Sequence, residues 1–283
     1  MQFKRKDLVK ESRREAKKWL DYNLEDKEKE EIYKLLKPEN ENNLIESFHK
    51  KLEFGTGGMR GIIGIGSNRI NTYTISLATQ GLCNYLINLD NTKKTAVIAY
   101  DSRRFSKEFG IQAAKIFSAN NIKSYIFSNL RPTPELSFAV RELNCSCGLV
   151  ITASHNPKEY NGYKVYWNDG GQITAPHDKN IISEVEKISD FNQINFNYNS
   201  KLIKEIDDEI DKKYIDKIQS LSVYDNSKSN LKIIFSSLHG TGITQIPNAL
   251  KAFGFKNISS VKSQELPDPE FSTVNSPNPE DLD

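Results

Sequence analysis

Long apolar runs are missing from this 283-residue chain. No stretch approaches the roughly 18 consecutive apolar residues that a membrane-spanning helix needs. The first twenty residues, MQFKRKDLVKESRREAKKWL, are charged throughout. They lack the apolar core of a secretory signal, so a cytoplasmic protein with no membrane partner is expected. Cysteine is scarce, with only Cys83, Cys145 and Cys147. The Cys145-x-Cys147 pair has no second Cys/His pair at ligand spacing to complete a metal site, and buried reduced thiols are the better reading. A charge excess is lacking too: the formal net charge is +2, with 27% charged and 37% apolar residues. That balance creates no demand for a polyanion, and no nucleic-acid partner is expected.

The length implies about two domains and ample material for a core. Residues 5–37 read as two amphipathic helices, a packing extension of the main domain, and 44–52 as a further short helix. The run FGTGGMRG (54–61) is a glycine loop ahead of a strand at 62–65. Its glycines would let backbone N–H groups approach an anion and Arg60 would pair with a phosphate, although a plain turn accounts for it equally. Arg60 stands where a dinucleotide fingerprint has its third glycine, and no Gly-Lys-Ser/Thr follows as in a Walker loop.

Beyond a helix at 72–89 the pattern alternates: strand 95–99, helix to 119 with Ser106 as its cap, strand 122–127, helix 135–143, strand 147–152. Such alternation specifies βαβ units, an α/β fold in three layers around a mixed, mainly parallel sheet, with ligands bound beyond the C-terminal strand ends. Asp101/Arg103 and Ser154/His155 fall at two such ends. A hairpin around 168–171 and a helix at 177–188 follow. Then come a polar loop at 189–200, a helix at 205–221, a polar linker at 225–230, and a second, similar βαβ start at 231–261.

The loop TASHNP (152–157) places a hydroxyl, an imidazole and an amide on a rigid scaffold, which makes Ser154 the first candidate for covalent chemistry. Lys164 leaves the next strand close by, or is an ordinary surface lysine. A serine hydrolase is a poor fit, because adjacent residues on one loop rarely form a nucleophile and base pair and no G-x-S-x-G elbow is present.

Six stretches in order, FGTGGMRG (54–61), YDSRRFS (100–106), TASHNP (152–157), NGYK (161–164), LHGTG (238–242) and PDPEFSTVNSPNPE (267–280), resemble the α-D-phosphohexomutases, the phosphoglucomutase and phosphomannomutase superfamily. The resemblance implies an isomerase that interconverts hexose 1-phosphate and 6-phosphate through a phosphoserine and a bisphosphate intermediate. It implies Ser154, His155, Lys164 and Arg60 as catalytic residues, with Ser154 as the phosphoserine and Lys164 as a candidate general acid/base. Thr56, Gly57, Arg103 and Asn156 become substrate- or phosphate-binding, and His155 and Asn156 also shape the loop. Mg²⁺ would meet Ser154 through its phosphate, and a hexose bisphosphate would serve as activator.

The same resemblance divides the chain into a helical extension (1–47), a phosphoserine domain (48–205) and an incomplete second domain (206–283), with the third and fourth domains absent. The family's aspartate metal loop would follow Asp283. The chain is therefore expected to be inactive alone: a fragment, one partner of a split enzyme whose second chain supplies the C-terminal domains, or a non-catalytic binder of sugar phosphate or protein.

Overall fold

The computed structural model describes residues 5–89, 94–224, 229–278 and 280–281; most of the linker expected at 225–230, and the final Asp283, lie outside them. Three helices open the chain, α1 (Arg5–Trp19), α2 (Asp26–Leu35) and α3 (Glu41–Phe48). Their apolar sides close a small core of their own in which Ala16, Trp19, Ile32, Leu44 and Phe48 are buried with Ile65. Trp19 anchors it, meeting Phe48, Tyr73 and Phe191 edge-on at ring-centroid distances of 5.5, 5.6 and 5.1 Å. Such aromatic contacts add to the burial of the rings themselves. The helix read at 44–52 begins earlier, at Glu41.

The main domain follows as β1 (Gly58–Ile62), α4 (Thr72–Ile87), β2 (Thr95–Tyr100), α5 (Ser106–Ala119), β3 (Lys123–Phe127), α6 (Thr133–Glu142), β4 (Cys147–Ile151), β5 (Tyr160–Trp167), α7 (His177–Lys187) and β6 (Ile203–Ile206). One six-stranded sheet results, in the order β1-β5-β4-β2-β3-β6. The β4-β2-β3-β6 ladder is parallel, while β5 and β1 run antiparallel at the other side. Helices α4, α5 and α7 cover one face, with Leu82, Phe117 and Ile181 in a core shared with Ile98 and Leu149. The other face packs Leu136 and Val140 of α6 onto Val97 and Val150. Strand β2 is buried along nearly its whole length, as a parallel strand covered on both faces must be.

Three readings are corrected. The strand expected at 62–65 starts four residues earlier, inside the glycine run, because Gly58–Ile62 finds its partner in Tyr160–Lys164. Ser106 is the first helical residue of α5, not its cap: Phe105 holds the cap position at φ 62°, and Ser106 donates its hydroxyl to Asp101. The helix expected from Glu205 is preceded by β6, a four-residue edge strand whose Lys204 and Glu205 point to solvent. Short, charged edges of this kind are how sheets end.

Helix α8 (Asp208–Gln219) then packs between α6 and α9 (Gly242–Ala252), with Gln219 Nε2 donating to the Ala252 carbonyl at 2.6 Å. The second unit comprises β7 (Lys232–Phe235), α9 (Gly242–Ala252) and β8 (Asn257–Ser260). Its two strands pair in parallel, Lys232 opposite Asn257 and Phe235 opposite Ser260. Ile234 and Leu266 remain 79% and 76% exposed. Among the described residues no helix is long and apolar enough to cross a membrane.

Candidate active site

Strand β4 ends at Ile151, and the chain turns out of the sheet through Thr152–Pro157. Thr152 stays in register by donating its N–H to the Gly162 carbonyl at 3.0 Å. Ser154 then adopts φ 58°, a left-handed conformation that costs a residue with a Cβ. Two local bonds hold it there: the Ser154 N–H donates to the Thr152 hydroxyl at 2.9 Å, and the Asn156 N–H to the Ala153 carbonyl at 3.1 Å. The serine side chain is left exposed to solvent. His155 is exposed beside it, with Nδ1 at 3.4 Å from Ser154 Oγ, a long contact for a nucleophile and base.

Arg103 lies underneath. Its side chain is fully buried and its two terminal nitrogens donate to four carbonyls: Nη1 to Pro157 and Tyr160, Nη2 to Ser154 and Asn156, at 2.5–3.0 Å. All four N–H positions of the two terminal nitrogens are thereby used on the backbone of the loop and of the first residue of β5, so Arg103 positions Ser154 rather than facing a substrate. Asp101 is its counter-charge, 3.5 Å from Nε, and receives the Arg103 N–H and the Ser106 hydroxyl at 2.9 and 2.7 Å. Burial pushes the Asp101 carboxyl up and the Arg103 guanidinium down from their ordinary values, each offset by the charge of the other.

The third component comes from the antiparallel edge. In the β1–β5 ladder Arg60 stands opposite Gly162 and Lys164 opposite Gly58, which makes the two cations diagonal neighbours on one sheet face. Tyr163 and Val165 enter the core on the other face. Arg60 Nη1 donates to Asn156 Oδ1 at 3.0 Å, tying β1 to the serine loop. Burial first, and then the charge of Arg60, lower the pKa of Lys164, while Asp101 works in the opposite sense. A lysine so placed gives up its proton more readily than one in water.

Thr56 and Gly57 form the tip of a tight turn closed by Gly55 N–H to Gly58 O and Gly58 N–H to Gly55 O at 2.7 and 3.1 Å. Glycine is needed at 58, where φ is 142° and a Cβ would come within 1.8 Å of the Tyr163 carbonyl. The turn packs on β5, with Gly57 O accepting from Val165 N–H and the Gln172 side chain. It thus sits beside Lys164, and no hydrogen bond among the described residues joins Thr56 or Gly57 to Thr152–Pro157.

A contribution from the proline-rich segment is not apparent from sequence. The Phe271 ring lies 5.3 Å from the Arg103 guanidinium carbon, and Glu270 pairs with both Arg104 and Lys158. No spacing rule connects residues more than a hundred positions apart. No group of three His, Cys, Asp or Glu among the described residues is assembled to hold a metal ion, and Asp101 is engaged by Arg103 and Ser106. No step is therefore assigned to a cation held by these residues.

The comparisons agree with one another. A family model described as phosphoglucomutase/phosphomannomutase, alpha/beta/alpha domain I, matches residues 51–192, and the corresponding domain II model matches 212–283. Phosphoglucomutases of Staphylococcus aureus strains MRSA252 and N315 are each 41% identical over 239 residues, 83% of this chain and 43% of their own length. The chain thus spans less than half the length of these curated relatives. Among solved structures, a putative phosphomannomutase from Thermus thermophilus superposes with TM-score 0.68 at 24% identity, over 80% of this chain and 48% of that one. Parafusin from Paramecium, in its open form, gives 0.61 at 20% identity, over 79% and 46%. At such identities the two structures speak for the fold.

Proposed function

Since the chain belongs to the phosphoglucomutase/phosphomannomutase family, a family of isomerases, we propose that it carries the phosphoryl-transfer half of a phospho-sugar mutase. In this reading Ser154 takes a phosphoryl group from a hexose bisphosphate and returns it to a hexose monophosphate, so that 1-phosphate and 6-phosphate interconvert. The groups that read the sugar and complete a magnesium site are, in this reading, supplied by a further segment or by a second chain, since no group of three His, Cys, Asp or Glu is assembled among the described residues. Mg²⁺ would neutralise charge on the transferring group.

The observation that carries the reading is the clamped serine. Ser154 is exposed on a loop that Arg103 fixes at three of its carbonyls and at the Tyr160 carbonyl that starts β5, with Arg60 and Lys164 on the flanking sheet face. Phosphoryl transfer asks little of the protein beyond position and charge. On donation the Ser154 Oγ–P bond breaks as the sugar hydroxyl oxygen bonds to phosphorus, the sugar hydroxyl gives up its proton, and Ser154 Oγ takes up a proton to leave as the hydroxyl. Lys164, its pKa lowered, suits the proton that the sugar gives up, and Arg60 suits the charge on the phosphoryl oxygens.

The test uses the full chain with glucose 1,6-bisphosphate and Mg²⁺, followed by intact mass. Gain of one phosphoryl group, lost in Ser154→Ala, is the expected result. A wild-type chain that remains unmodified, with or without the sequence that completes its relatives, would refute the assignment of Ser154.

A further inference from the structure

Segment 266–273 of the second unit is shaped in unusual detail for an exposed-looking, proline-rich stretch. His239, buried and itself at φ 61°, ties down both of its ends: Nδ1 meets the Leu266 carbonyl at 2.9 Å and Nε2 the Thr273 hydroxyl at 2.8 Å. Asp268 caps the turn between them, accepting from the Glu270 and Ser272 N–H groups at 2.9 Å. A hydrogen bond from the Ser272 side chain, and then these two N–H bonds, pull its carboxyl down to about 2. The turn forces Phe271 to φ 52°, a position where a glycine would be relaxed. A strained phenylalanine calls for a reason, since strain persists only where the surroundings impose it.

The reason is where its ring goes. Phe271 is 6% exposed and Arg103 is 3% exposed, and the ring sits against the guanidinium at 5.3 Å. One residue earlier, Glu270 reaches Arg104 and, at 3.2 Å, Lys158, the first residue after the serine loop. The two contacts bracket the loop: one stacks on the side chain that holds its carbonyls, and the other holds its exit. Removing the ring would leave a buried guanidinium partly open to water, which competes for N–H donors.

We propose that segment 268–272 is a positioning element for the Ser154 loop, with Phe271 locking the Arg103 clamp and Glu270 pinning Lys158, so that docking of the second unit sets the order of the nucleophile. The structural coupling stands on these contacts alone; its consequence for phosphoryl transfer rests on the reading of Ser154 given above.

Hydrogen exchange of the full chain tests it at the hydrogen-bonded amides of Ser154, Asn156 and Tyr160. Phe271→Gly removes the ring while relaxing the turn, and Phe271→Tyr keeps the ring. Exchange about tenfold faster in Phe271→Gly, the factor expected for ordering worth one hydrogen bond, with near wild-type rates in Phe271→Tyr, is the expected outcome. Wild-type rates at the three amides in Phe271→Gly, with 266–273 still protected, would overturn the proposal. If that variant loosens 266–273 as well, Glu270→Gln decides: faster exchange at Tyr160 supports the coupling, and no change refutes it. Alongside, the rate at which Ser154 takes phosphoryl from glucose 1,6-bisphosphate should fall about tenfold in Phe271→Gly and recover in Phe271→Tyr. A wild-type chain that never takes the group removes the Ser154 reading but leaves the exchange comparison to judge the coupling.

Discussion

Arg131 meets Asp211 in two parallel hydrogen bonds, Nε to Oδ1 at 2.8 Å and Nη2 to Oδ2 at 2.7 Å. This planar fork joins the turn before α6 to α8, and it stands beside a second carboxyl, Glu135, which has no exposure at all. Gln245 of α9 donates to Glu135 Oε1 at 3.3 Å, so the junction of the two units is built around an acid that burial, and then Asp211, push up to about 9. Arg131 serves Asp211, whose own carboxyl it holds below the ordinary value.

Stability should therefore fall with rising pH through this group. A Glu raised from 4.5 to about 9 keeps its proton when folded and loses it when unfolded across that window, so alkali favours unfolding by at most about 1.4 kcal/mol per pH unit. Asp211 contributes in the opposite sense and only below its ordinary range, so the two windows are separate. Glu135→Gln should unfold at a higher denaturant concentration than wild type at pH 8 by more than it does at pH 5. A difference between the two proteins that does not grow with pH would mean that Glu135 is ionised in the fold.

Lys164 offers a second titration. Burial and Arg60 lower its pKa, so Arg60→Gln should raise it by removing the neighbouring cation. Titrating the Lys164 side chain by NMR in the two proteins measures this without any turnover. If Ser154 exchanges phosphoryl as proposed, the alkaline rise of its rate should move to higher pH in Arg60→Gln, and Lys164→Met should cost roughly 10²–10⁴ in rate, the usual worth of a proton-transfer group. An unshifted Lys164 titration would mean that Arg60 does not act on it.

What the sequence alone makes legible follows from where each signal resides. Apolar runs such as Thr95–Tyr100 and Cys147–Ile151, set between helical periods, carry the parallel sheet on their face, and TASHNP at a strand end marks Ser154. Local pattern fails where tertiary partners decide. Gly58–Ile62 becomes a strand because β5 is there to pair with it, and Ile203–Ile206 because β3 has a free edge. Arg103, at a strand end, is recognisable as part of the site, but its role as a backbone clamp depends on carbonyls of the serine loop and of the start of β5, about fifty residues away. The contribution of Phe271 is more distant still.

Burial along the chain predicts where a protease enters. Ile210 is buried against the main domain and Arg131 holds Asp211, so α8 should remain with the N-terminal portion. Just after it Leu221, Val223 and Tyr224 are 67%, 82% and 78% exposed, and Leu231 is 57% exposed at the start of the next unit. Segments with few buried contacts open and are cut first. Brief chymotrypsin treatment should therefore cleave near Leu221–Leu231 and leave a resistant core that still contains α8. The second unit, two paired strands and one helix with Ile234 and Leu266 exposed, should be degraded once released, because too little apolar surface is buried within it. Arg131→Ala should move the first cut to the N-terminal side of α8 by freeing that helix from the turn before α6. Cleavage that begins inside β6 or earlier in wild type, or a second unit that outlasts the core, would contradict the anchoring of α8 on the main domain through Ile210 and Asp211.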